Sequence, residues 1–252
     1  MTMMVTLMAT AQNAQTTIKP LMAKGWLEPV YALHNQVREE LPEEKKGSLL
    51  VRPPEYFDDL IAGRTGALFG AMVEGKLAGM VAVFKSESWS AAIAAGRLTY
   101  PDLDGGVKAS CGHGTVGIIQ SLCVLKEYKN NGIAQELIEA AKGWSKDNNC
   151  AQLFSQVGQS NVCSWVQFMK QGFEIAEGWN GVDHSRYLLR LAEEKALKSE
   201  SKYISIAKSL VYPDGAARRF LNPVLNAQLG AGGSVRLDAS RSTKGALHFV
   251  LG

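Results

Sequence analysis

Lys129, Asn130, Asn131, Gly132, Ile133 and Ala134 form a short basic Asn/Gly loop. It lies between an apolar run, Val116 to Val124, and a stretch with Ile133, Leu137, Ile138, Ala141 and Trp144 near 3.6-residue spacing. A strand, a loop and a helix start in that order make an anion-binding arrangement. The first helical N–H groups have no partner within the helix, and the helix dipole adds partial positive charge there. Gly132 and the small Ala134 let a phosphate come close to the backbone. Neither a GxxxxGK[ST] nor a GxGxxG spacing occurs in this loop.

Three marked positions of the loop, Lys129, Gly132 and Ala134, match [RQ]-x-x-G-x-[GA] with Lys for Arg or Gln. That pattern resembles the acetyl-CoA pyrophosphate loop of the GCN5-related N-acetyltransferase (GNAT) family. A second segment agrees with it. Asn161 is followed by Ser164 at a small-residue position and then by Gly172-Phe173, similar to the family's N-x-x-(A/S)…G-F segment. The resemblance covers about residues 16–191. It implies acetyl-CoA as cofactor, with the backbone of Leu122, Cys123 and Val124 on its pantetheine arm. It further implies that Lys129, Asn130, Asn131, Gly132, Ile133 and Ala134 hold the pyrophosphate, with Asn161 as a further contact.

The proton carriers depart from the family pattern. Where many members have a tyrosine, seven residues after the motif asparagine, this chain has Phe168; where a glutamate is common on the central strand, it has Gln120. Gln120 can orient a water or an amine but cannot act as a base. His113, in a Gly-flanked loop before the strand, is the candidate base, and Tyr187 near the last strand is a candidate donor. His184 is a second possible donor, and His34 is read as a packing or surface residue. Cysteines 111, 123, 150 and 163 are scattered, so reduced thiols in a cytoplasmic protein are expected, and no metal-site spacing appears.

The elements that must position these residues follow the order β-α-α-β-β-β-α-β-α-β-β. This implies an α/β fold: a GNAT-like, mixed and mostly antiparallel sheet with helices on both faces, plus a C-terminal extension. Residues 1–16 are read as a flexible leader without the charge pattern of a secretory signal, and 17–191 as the domain. Residues 85–114 are read as a long insertion lining the acceptor side together with the helical segment 26–63. Residues 192–252 form the extension, read as an interaction or homo-oligomer assembly element. A helix is expected over 192–210, and a terminal hairpin from 235–237 and 246–251. No apolar stretch reaches eighteen residues, so no spanning helix is expected. The whole chain's net charge is +3, and the excess belongs to the extension, where nine Lys/Arg stand against five Asp/Glu, too mild an excess for nucleic-acid binding. The expected activity is acetyl transfer to a primary amine by direct attack in a ternary complex. The acceptor is open between a small molecule and a peptide or protein amine. The alternative is a catalytically degenerate scaffold acting through its tail.

Overall fold

The computed structural model describes residues 15–97, 114–180, 185–192, 202–207, 225–229, 234–238, 242 and 246–251. The leader up to residue 14, His113, Cys111, His184 and most of the extension lie outside the described residues. The described strands form one sheet. Strands β1 (Thr16–Pro20), β2 (Gly66–Val73), β3 (Lys76–Ser86) and β4 (Val116–Val124) are successive antiparallel neighbours. Strand β5 (Gln152–Gly158) lies parallel to β4, and β7 (Ser185–Leu191) and β6 (Phe173–Asn180) continue antiparallel from it.

Apolar side chains at alternate positions split the core into two layers. Helices α5 (Ile133–Asp147) and α6 (Val162–Lys170) cover one face, burying Leu137, Ile138, Trp165 and Val166 with Ile119, Val157, Tyr187 and Leu189. Helices α1 (Leu27–Glu39), α3 (Pro54–Ile61) and α4 (Trp89–Ala94) cover the other, with Ile118, Phe154 and Leu188. Helix α2 (Glu43–Lys46) is one short turn between α1 and α3. The i, i+3, i+4, i+7 set of α1, namely Val30, Leu33, His34 and Val37, is its buried stripe. His34 packs edge-on against Phe57, and burial lowers its pKa to about 4, so it stays neutral. The three described cysteines are free thiols. No helix among the described residues is long and apolar enough to cross a membrane.

Two stretches differ from the sequence expectation. Strand β3 runs to Ser86, and Ser88 then caps α4 through a 3.1 Å bond from the Ala91 amide, so the start of the expected insertion is regular structure. Trp89 and Ala92, one helical turn apart, are buried there, and Trp89 meets Phe154 edge-on. In the extension, Lys202–Ala207 is a strand, β8, rather than helix. It pairs along its whole length with β10 (Ala246–Leu251), whose other edge pairs with β9 (Val235–Leu237). The Glu/Lys content suggested helix, but the alternation Tyr203-Ile204-Ser205-Ile206 beside an open strand edge favours sheet. The expected pairing of 235–237 with 246–251 is present.

These last strands join the main sheet at Ile175↔Val235 and contribute Val235, Leu247 and Phe249 to the core under α6, with Leu225 and Leu229 of the helical turn 225–229 beside them. One ion cluster fastens them. Glu174 on β6, 1% exposed, accepts from Arg190 at 3.1 and 2.5 Å and from Arg236 of β9 at 2.5 Å. Burial pushes the Glu174 carboxyl up, but the hydrogen bonds and charges of both arginines outweigh it and hold the pKa below the usual range. Removing the carboxylate takes away the acceptor that Arg190 and Arg236 share. Glu174→Ala should therefore lose about 3–5 kcal/mol in urea unfolding. Because the folded pKa is depressed, the stabilisation is full above the unfolded carboxylate pKa and is lost as pH falls through the folded value. The stability gap between wild type and Glu174→Gln should narrow accordingly as the pH drops below about 4.5.

Candidate active site

Strand β4 carries one residue more than β3 can pair. Ala82 pairs Gln120 and Met80 pairs Cys123, so Ser121 and Leu122 bulge opposite Val81 alone, with Ser121 at φ +51°. A side-chain-bearing residue held there is strained, which marks the bulge as a built feature. On the other edge, β4 and β5 pair only from Val116↔Gln152 to Ile119↔Ser155. The Ser155 hydroxyl closes that last rung by donating to the Ile119 carbonyl at 3.2 Å. Beyond it the strands have no ladder, and a gap opens at the bulge. The Leu125 amide donates to Ala78 on β3. By strand alternation the Cys123 backbone also turns toward β3, while Leu122 and Val124 present their N–H and C=O groups to the gap. An extended polar chain fits that edge. The Cys123 thiol faces the α1/α3 core, and burial pushes its pKa up to about 12, so it is no nucleophile.

The gap runs toward the loop singled out above. A 3-10 turn at Lys126–Tyr128 ends at Lys129, Asn130 stands at φ +67°, and Gly132 caps α5 at φ +80°. Asn131 donates to the Tyr128 carbonyl at 3.4 Å. The first bond into the helix runs from the Glu136 amide to the Gly132 carbonyl, so the amides of Ile133, Ala134 and Gln135 have no acceptor within α5. A Cβ on Gly132 would meet nothing within 4 Å, so this is open space beside free amides. Together with exposed Lys129, these features suit a diphosphate. Asn161 caps α6, accepting from the Ser164 amide at 3.4 Å. Gly172 closes that helix at φ +87°, as expected from its position.

On the α1/α3 side the bulge forms the floor of an open cleft. Its lining includes Arg52, Arg97, Gln120, Ser121, Gln156 and Arg186. Gln120 is fully engaged. Its Oε1 accepts from Arg52 at 3.2 Å and from the Tyr56 hydroxyl at 3.0 Å, and its amide nitrogen donates to the Arg97 carbonyl. The Tyr56 hydroxyl also lies 3.3 Å from the Ser121 hydroxyl. Burial raises the Tyr56 pKa against the opposing pull of Arg52, so the phenol keeps its proton and is a donor. Tyr187 lies elsewhere. It is fully buried on the α6 face, edge-on to Trp165, and burial raises its pKa. The structure does not bring it together with Gln120. Phe168 is buried against Phe173, a packing role only.

Sequence reasoning missed Arg52, Tyr56, Arg97, Gln156 and Arg186. Polar residues interrupting the apolar strand runs around Gln156 and Arg186 were the available signal. Arg52 and Arg97 sit in connections and gave none.

The family model for the acetyltransferase (GNAT) family matches residues 32–173. Among solved structures, Arabidopsis thaliana NAA60 in complex with acetyl-CoA is 20% identical, with 70% of this chain and 97% of that chain covered at a TM-score of 0.50. The same protein in complex with a bisubstrate analogue is 20% identical over the same shares, 70% and 97%, at a TM-score of 0.52. An acetyltransferase of the GNAT family from Streptococcus pneumoniae is 17% identical, covering 70% and 98%, at a TM-score of 0.50. At these identities the likeness is one of fold. Comparison with curated proteins gives no match. The helix cap makes its own prediction. Gly132→Ala forces an L-residue to φ +80° without a clash, costing about 1 kcal/mol of stability. Pyrophosphate or ADP affinity measured by calorimetry should fall by at least about tenfold, since the strained loop relaxes away from its anion-ready form.

Proposed function

The chain belongs to the GNAT family of acetyltransferases, and we propose that it transfers the acetyl group of acetyl-CoA to a primary amine by direct attack within a ternary complex. One observation carries this reading. The β4 bulge stands at a gap in the sheet with a diphosphate-ready loop along one side and a polar cleft on the other. Donor and acceptor can thus meet at Ser121 from opposite sides of the sheet without competing for space. The complexes of NAA60 with acetyl-CoA and with a bisubstrate analogue support the same reading.

Acetyl-CoA, when bound, supplies a thioester carbonyl activated toward amines and a thiolate leaving group. The Leu122 and Val124 backbone would hold the extended arm, with Cys123 between them, and residues 129–134 the pyrophosphate. Asn161 stands at the α6 N-terminus as a further contact. Gln120 is a positioning residue, because all of its hydrogen-bonding capacity on Oε1 and one amide hydrogen is used to fix Arg52, Tyr56 and the Arg97 backbone. Tyr56 takes the part expected of a tyrosine on α6. Its protonated hydroxyl, 3.3 Å from that of Ser121, is a proton source at the bulge. His113, three residues before β4, keeps the proposed role of base.

The test is binding and turnover on the full chain. Acetyl-CoA at 100-fold over its Kd should stabilise the fold by about 2.7 kcal/mol, seen as a rise in Tm. Free CoA thiol should then appear only with an amine present. A rise in Tm without thiol release across an amine panel would support the scaffold alternative, and no rise at millimolar acetyl-CoA would defeat the acyl-transfer reading. Tyr56→Phe should lower kcat by about tenfold or more while leaving KM for acetyl-CoA nearly unchanged.

A further inference from the structure

The cleft on the acceptor side has a charge that amine recognition does not require and would not favour. Arg52, Arg97 and Arg186 all line it, and no Asp or Glu lines it among the described residues. None of the three has a carboxylate within ion-pair distance among those residues. The charge on Arg97 is eased only slightly by Asp59, which is already held by Arg64 at 2.6 Å. Instead the arginines rest on rings and neutral acceptors. Arg52 lies 4.6 Å over the Tyr56 ring, Arg97 4.0 Å over the Phe84 ring, and Arg186 donates to the Gly47 carbonyl at 3.3 Å. Arg186 is 8% exposed. Burial, then the charge of Arg52, lowers its pKa; Arg97 is lowered first by burial, with Arg52 again contributing. Three partly desolvated like charges carry a standing cost that an anion would remove.

We propose that the acceptor is a small primary amine that also bears an anionic group, a carboxylate or phosphate, and that Arg52, Arg97 and Arg186 bind that group. The proposal rests on the acyl-transfer reading for the amine, and on the cleft alone for the anion. The two positions are close. Gln120, at the bulge where the amine must arrive, contacts both the Arg52 side chain and the Arg97 backbone. The anion therefore lies within a few bonds of the amine, as in an amino acid. A guanidinium fork suits either oxyanion, and a single loop links the sides of the cleft, since Gly47 is tied to Arg186 five residues before Arg52.

The experiment uses the full chain, acetyl-CoA and matched acceptors: each α-amino acid against its own carboxamide, and phosphoethanolamine against ethanolamine. The anionic member of at least one pair type should have kcat/KM higher by about tenfold or more, and which type it is separates carboxylate from phosphate. Arg97→Gln and Arg186→Gln should each reduce that preference by about tenfold, with Arg97→Lys and Arg186→Lys restoring part of it, and KM for acetyl-CoA should stay unchanged. Equal use of the neutral partners, preference for acidic peptides over free acids, or a rise in KM for acetyl-CoA instead would overturn the proposal. If no amine turns over, the acyl-transfer reading fails, but the anion site is still decided by binding. Amino acids or phosphoethanolamine should raise the Tm of wild type and not of the Arg97→Gln/Arg186→Gln double variant. No shift at tens of millimolar would overturn it.

Discussion

One extra residue in β4 sets the rest of the site. With Ser121 held at φ +51°, Gln120 and Ser121 both turn to the α1/α3 side, where Tyr56 meets each of them. A regular strand would send one of the two to the α5 face. The bulge also bends β4 away from β5 beyond Ile119↔Ser155, so the open ladder edge and the polar cleft have one cause. Neither feature could be moved along the chain without the other. The apolar pairs on both sides, Ile118 and Cys123 toward α1/α3 and Ile119 and Leu122 toward α5, keep the register from sliding to absorb the extra residue.

Of the proposed site, the loop half is legible in the sequence and the cleft half is not. Lys129 to Ala134 is contiguous, its proposed role lies in backbone amides and in Gly132, and it sits where two clear periodicities meet. The boundaries of β4, α3 and β7 agree with the sequence pattern for the same reason: their burial is periodic and their ends are marked by Pro or Gly, or by a change of period. The cleft is built otherwise. Arg52 and Tyr56 come from one stretch at the start of α3, and Arg97, Gln120 and Arg186 from three others far apart in the chain. Tyr56 shows the limit best. On its helix it reads as one more apolar position, and only the bulge opposite gives its hydroxyl two partners.

The extension misled for a related reason. Its Glu/Lys-rich composition argues for helix, while the available sheet edge decides for strand at Lys202–Ala207. Glu174 is likewise ordinary in sequence, one acid in a strand. It becomes a fixed point because Arg190 is opposite it on β7 and Arg236 reaches it from β9. A buried carboxylate with one arginine would barely offset its own desolvation; with two it stays ionised and ties the late strands to β6. Trp165 and Phe249 then pack across that junction, and Leu225, Leu229, Val235 and Leu247 are buried with them.

Charge placement links the two halves. Glu174 shows that this fold compensates a buried ion fully where stability is the purpose. In the cleft the same fold leaves three guanidiniums with rings and neutral acceptors and with no acid in the lining among the described residues. A stabilising role would have been better served by apolar side chains of similar volume. Uncompensated charge persists where a ligand completes it, and here it faces the bulge at which acyl transfer would occur. On the proposed reading the cost falls on the protein without acceptor and would be relieved on acceptor binding, so that electrostatic complementarity would select the acceptor.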